Sequence, residues 1–227
     1  MKYLIRFLFL FVFISNLILS QTLKTNIFER MVNKNLPTFT FIITDISSDS
    51  LKDYERLFKV DIYNSQKNKL LQTFQHHTSL GNDYFLDIGF LGNRLEHESD
   101  TNLVDINFDS YNDLIFVNSS GVGGNFNYDT YLFDNKDNKF HKNENFSSMI
   151  NININKKDKT ISEFISEGCY SNCYTIKTYK IKNNSPLLVK EEIQYAVDGD
   201  LNNIMNETYH FKNGKKIKVK SHKFKFN

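Results

Sequence analysis

Apolar and polar residues alternate along most of the chain. Thr38-Phe39-Thr40-Phe41-Ile42-Ile43 shows the pattern, and so do residues 58–63, 84–91, 113–117, 128–133, 160–165, 174–181, 187–197 and 217–226. A period of two is that of a pleated strand with one buried face, so each run predicts a β-strand. Turn signals separate the runs, notably Asn183-Asn184-Ser185-Pro186 and Asn213-Gly214. Helical periodicity is confined to residues 48–57, where Asp49 or Ser50 could cap, and a turn is expected over residues 146–149. The pattern predicts an all-β fold.

A loose internal repeat refines that expectation. Tyr131-x-Phe133-x-Asn135, Tyr179-x-Ile181-x-Asn183 and Tyr209-x-Phe211-x-Asn213 match one another, with Val60-x-Ile62-x-Asn64 as a looser copy. Each is followed by an apolar position: Phe140, Leu188, Ile217 and Leu70 respectively. Each unit reads as an aromatic-faced strand, an Asn-led turn and a return strand. Irregular spacing excludes a strict solenoid and fits an antiparallel meander of hairpins, propeller-like, although any two hairpins share some of this pattern.

The first twenty residues read differently. Lys2 and Arg6 precede the uncharged run Phe7-Leu8-Phe9-Leu10-Phe11-Val12-Phe13-Ile14, and Ser20-Gln21 offers a small residue before a cut. The run suits a signal-peptide core and is short for a membrane span. The expected organisation is a signal peptide over 1–20 and one β-rich domain over 21–227, placing the protein in the periplasm or outside the cell. An uncleaved N-terminal anchor is the alternative. Removing residues 1–20 takes away two of 28 basic residues and none of the 26 acidic ones, leaving a formal net charge of zero. The mildly basic whole-chain balance therefore does not point to nucleic acid. With 21 Phe, 12 Tyr and only two Pro, the composition suits strands with aromatic faces and excludes a disordered chain.

Cys169 and Cys173 are the only cysteines. In an oxidising compartment so close a pair is expected to form a disulfide closing a small loop between two strands. Two thiolates alone do not complete a zinc site.

The main chemical signal is Asp105-Ile106-Asn107-Phe108-Asp109-Ser110-Tyr111-Asn112-Asp113. Asp105, Asn107, Asp109 and Asp113 place side-chain oxygens at positions 1, 3, 5 and 9 of a loop, and Tyr111 can lend its carbonyl. Calcium takes six to eight oxygen ligands in flexible geometry, so this spacing makes Ca2+ the expected cofactor, with an affinity of roughly 0.1–1 mM. The loop is not an EF-hand: Ser110 stands where glycine is expected, Phe116 where a bidentate glutamate would sit, and a strand follows. The alternative is an Asp/Asn-rich turn that binds nothing. Downstream, Ser120, Gly121, Gly123, Gly124, Asn125 and Tyr128 form a glycine-rich segment. It reads as a hairpin loop or as an exposed partner-binding loop; no helix follows to cradle phosphate.

Asp-x-Asn-Phe-Asp-x-Tyr-x-Asp-Leu over 105–114, Gly-x-Gly-Gly-Asn over 121–125 and Tyr131-Leu132-Phe133-Asp134 together resemble a family of small exported bacterial proteins. A characterised member is a periplasmic immunity protein that binds calcium and inhibits a peptidoglycan-cleaving effector of a type IV secretion system. Ile161-Ser162 with Gly168 and Leu187-Leu188-Val189-Lys190-Glu191-Glu192 extend the likeness, which covers about residues 84–195. The resemblance implies an all-β, propeller-like fold, a calcium loop at Asp105, Asn107, Asp109, Tyr111 and Asp113, and lysozyme-type inhibition. The lipoprotein cysteine of that member has no counterpart near Ser20.

Enzyme motifs are absent: no Gly-x-Ser-x-Gly, His-Glu-x-x-His or P-loop occurs. His76 and His77 on one strand point to opposite faces and cannot chelate together. Seven lysines and no acid lie in residues 210–227. On an edge strand they would block edge-to-edge pairing, or they could attract an anionic partner. Three functions stay open: an inhibitor of a peptidoglycan hydrolase, a calcium-stabilised envelope or adhesion module, and, third, a carboxylate-based hydrolase. A non-enzymatic protein binder is the leading expectation.

Overall fold

A computed structural model describes residues 25–48, 51, 55–66, 68–79, 103–121, 123–169 and 172–225. Its strands form three antiparallel sheets, each a meander of strands consecutive in sequence. The first holds β1 (Thr25–Arg30), β2 (Phe39–Asp45), β3 (Arg56–Asn64) and β4 (Lys69–Thr78). The second holds β5 (Leu103–Val104), β6 (Asp113–Gly121), β7 (Asn125–Asp134) and β8 (Lys139–Lys142). A single turn of helix, α1 (Glu144–Ser147), leads to the third. That sheet runs β9 (Ile152–Asn155), β10 (Thr160–Gly168), β11 (Cys173–Lys182), β12 (Ser185–Val197), β13 (Asp200–Lys212) and β14 (Lys215–Lys225). Among the described residues no helix is long and apolar enough to cross a membrane.

The second sheet is the middle layer, and its strands explain why. Leu114, Phe116, Tyr131, Phe133 and Phe140 join Phe39, Phe41, Val60 and Ile62 of the first sheet in one core. Ile115, Val117 and Leu132 point the other way and join Ile152, Ile154, Ile161 and Phe146 in a second core. Successive side chains of a strand take opposite faces, so a run without polar interruption such as Leu114-Ile115-Phe116-Val117 has to be buried on both. Aromatic edges lock the first core: the Phe133 and Phe140 rings lie 5.2 Å apart and those of Phe41 and Phe140 5.9 Å apart.

All four repeat units are hairpins, but of two kinds. In β11–β12 and β13–β14 the turn is two residues long. Asn183 and Asn184 have φ of 51° and 54°, Asn213 and Gly214 of 52° and 74°, the left-handed pair that matches strand twist. In β3–β4 and β7–β8 the Asn only opens a longer loop, which another left-handed asparagine, Asn68 or Asn138, closes. The expected helix over 48–57 is corrected in part. Arg56 and Leu57 open β3 instead, paired with Thr78 and His77 of β4; residues 49, 50 and 52–54 lie outside the described residues. So do the expected signal peptide and the strand over 84–91. The turn expected at residues 146–149 is largely α1, capped by the Asn143 side chain, which accepts from the Asn145 and Phe146 N–H groups.

Candidate functional site

The acidic loop joins β5 to β6 at the edge of the middle sheet. Asp113 closes it. This carboxylate is fully buried and accepts the N–H of Ile106 at 3.1 Å through one oxygen and that of Phe133 at 2.9 Å through the other. Burial pushes its carboxyl well above the usual carboxylate range, and the two N–H groups pull back against that. Asp105 folds the first half: its oxygens accept the N–H groups of Asp109 at 3.0 Å and Ser110 at 2.8 Å. Asp109 in turn accepts the Tyr111 N–H at 2.9 Å and the Asn107 side-chain amide at 2.8 Å. Ser110 has a φ of 76°, so it adopts the left-handed conformation that glycine supplies in such loops. The chain therefore makes the sharp bend with serine, and the Ser110 carbonyl is held by the Asn33 amide at 2.6 Å.

Residues 31–33 form a brace that the sequence pattern did not reveal. Asn112 donates its N–H to the Val32 carbonyl at 2.8 Å and its amide to the Met31 carbonyl at 3.2 Å. On the other side Asn107 donates to the Asn184 side chain at 3.3 Å, tying the loop to the β11–β12 turn. The Tyr111 ring lies against Phe133, and its hydroxyl accepts from Asn135 at 2.6 Å.

The donor set is oxygen throughout, which suits a hard cation such as calcium and not a soft metal. A carboxylate oxygen that accepts one N–H keeps a second lone pair for a cation. Asp105 and Asp109 fit this role at the partly open side of the loop, whereas Asn107 is buried. Asp113 is the least available, since both of its oxygens are engaged and buried. Asp105, Asp109 and Asp113 do not bring three ligand atoms within 4.8 Å of one another; among the described residues Asp134 and Asp137, each through a carboxylate oxygen, and His141, through a ring nitrogen, do. Burial raises the carboxyls of Asp105 and Asp113, and the neighbouring Asp109 raises both further.

The loop borders two clefts. One, about 440 Å³, lies by Asp105, Ser110, Lys34 and Lys156. The other, about 420 Å³, lies by Asp109, Tyr111, Asp134, His141 and Lys142. The spacing Asp134-x-x-Asp137-x-x-x-His141 around a hairpin turn was the signal that could have marked the second.

The glycine-rich segment is the β6–β7 hairpin, as its bland reading expects. The six residues expected to bind a partner do not form one surface. Tyr128 is 2 % exposed and packs in the second core, because it pairs with Val117 and shares its inward face. Asn125 is tied to β10: its amide donates to the Ser166 carbonyl at 2.9 Å, and its carbonyl oxygen accepts the Ser166 N–H at 2.9 Å. Gly123, with φ 79°, lies so close that a Cβ there would stand 2.9 Å from the Ser166 hydroxyl. Ser120, Gly121, Gly123 and Gly124 alone of the six are exposed.

Cys169 and Cys173 are joined, with Cα atoms 5.2 Å apart, at the β10–β11 end. A second polar network, unmarked in the sequence, links the first two sheets. The buried His76 ring stacks 4.9 Å from Phe116, with Nδ1 3.2 Å from an Asp129 oxygen. Lys142 reaches the other Asp129 oxygen at 2.9 Å. Burial pushes the Asp129 carboxyl up, but His76 and Lys142 outweigh it and hold the group below its ordinary range. β14 is an edge strand of the third sheet, as its lysines suggested.

No family model matches the chain, and no curated protein matches it. A solved structure, described as that of a Xanthomonas type IV secretion system related protein, shares the fold. It superposes with a TM-score of 0.57 at 15 % identity, over 87 % of this chain and 99 % of that one. The class so defined is a three-sheet, all-β antiparallel meander.

Proposed function

We propose that the protein is an exported, calcium-binding inhibitor of a cell-wall hydrolase of the lysozyme type, acting by binding and not by catalysis. The observation that carries the reading is the acidic loop. It has oxygen-only donors, a left-handed Ser110 that completes the bend, and three neighbouring carboxylates, of which Asp109 raises the carboxyls of Asp105 and Asp113. The fold shared with a protein related to type IV secretion supports a secretion-associated role. The disulfide is compatible with an oxidising, periplasmic or extracellular setting. Calcium here is structural: it would hold the edge of the middle sheet in place.

The pinned hairpin and the buried Tyr128 favour a second reading, a calcium-stabilised envelope or adhesion module without inhibitory activity. The two separate in a turbidity assay of muramidase action on peptidoglycan, with a lysozyme-type muramidase as the enzyme. Inhibition in calcium that vanishes in chelator supports the first; tight binding without inhibition supports the second.

A further inference from the structure

The third sheet treats its lysines in two ways. On one face, Lys216 pairs with the buried Glu191 and Lys218 reaches the buried Glu207 at 2.6 Å, flanking the Tyr209 ring. On the opposite face, Lys190 lies beside His210, His210 beside Ile217, Lys212 beside Lys215, Lys220 beside Thr208, and Lys180 beside Leu187. Directly paired residues share a face, so Lys180, Lys182, Lys190, Lys212, Lys215 and Lys220 stand together around the 183–184 and 213–214 turns. Among the described residues Glu192 is the carboxylate on that part of the face, and Lys190 bonds it. Leu187 at 53 % and Ile217 at 47 % exposure lie between the lysines.

From this face we infer an electrostatic docking surface for an anionic lipid bilayer. Charge complementarity argues for an anion. The residue type argues for which one: residues 152–225 contain no arginine. Protein interfaces favour arginine and avoid lysine, whereas diffuse attraction to anionic headgroups needs only mobile point charges on long stems. The exposed leucine and isoleucine would enter the headgroup region. The inference is independent of calcium binding and of inhibition.

The test is co-sedimentation of the purified protein with vesicles of phosphatidylcholine alone or mixed with phosphatidylglycerol. Binding to the anionic vesicles only, weakening with salt, is expected. Each lysine contributes roughly fivefold, so K180E/K212E/K220E should lower partitioning by at least about 100-fold. K59E/K69E/K139E, with the same change in net charge on the first two sheets, should retain it. If the reversed variant melts early, Gln at the same positions gives the same comparison with a smaller loss. Absence of binding to anionic vesicles, or equal loss in both triple variants, overturns the proposal. Binding to soluble polyglutamate but not to vesicles also overturns it, and would assign the face to an acidic protein or polymer.

Discussion

Asp113 offers the most exposed test of how the acidic loop is built. Its two oxygens satisfy two backbone N–H groups, one from the loop and one from β7. Asp113→Ala leaves both donors without a partner in a buried setting, at about 1–3 kcal/mol each. Removing a buried carboxylate gives some of that back, since burial already disfavours the ionised form. The net loss should be about 2–4 kcal/mol. Asp113→Asn keeps the shape and one acceptor but turns an NH2 toward the other N–H, so it should lose about 1–3 kcal/mol. Urea unfolding in chelator measures both without any contribution from metal. If both variants fall within about 0.5 kcal/mol of the parent, a surface-like effect, the latch is not what shapes the loop.

Other expectations follow from separate parts of the molecule. Gly123→Ala should cost about 1–2 kcal/mol through the left-handed φ and the Ser166 contact; Ser166→Gly should recover part of it, read by thermal melts of the double variant. Asp129 has a folded carboxyl below its unfolded value. Its contribution is therefore present above the unfolded value near 4 and lost as pH falls through the folded one. Acid unfolding followed by fluorescence should shift in Lys142→Met toward weaker pH dependence in that window. Reducing the Cys169–Cys173 bond should lower stability by about 2 kcal/mol, the chain-entropy value for so short a loop, seen as an earlier melt in reductant.

Particular residues show how far the chain could be read in advance. Strand positions were legible because both periodicity and turn chemistry are local: Asn213-Gly214 needs nothing beyond itself to specify a tight hairpin. The two-sided burial of the middle sheet corrects the reading of residues 113–117 as a strand with one buried face: Leu114, Ile115, Phe116 and Val117 are all buried, as the lack of a polar residue between them requires. Tyr128 reads from the sequence as part of an exposed loop, yet its place opposite Val117 turns it inward; register, not composition, decides its face. The braces on the acidic loop were not legible. Asn33 and Asn184 each meet it across 77 residues of chain, and no short-range pattern distinguishes them from other asparagines. The same holds for His76 and Asp129, which only sheet packing brings together.

The claim on which the account turns is that the loop from Asp105 to Asp113 holds calcium. Isothermal titration of calcium into chelator-treated protein tests it most directly, with Asp105→Ala and Asp109→Ala as comparisons. One site of roughly 0.1–1 mM affinity, lost in both variants, is the predicted result. No saturable heat in the parent protein, or unchanged binding in both variants, would contradict it.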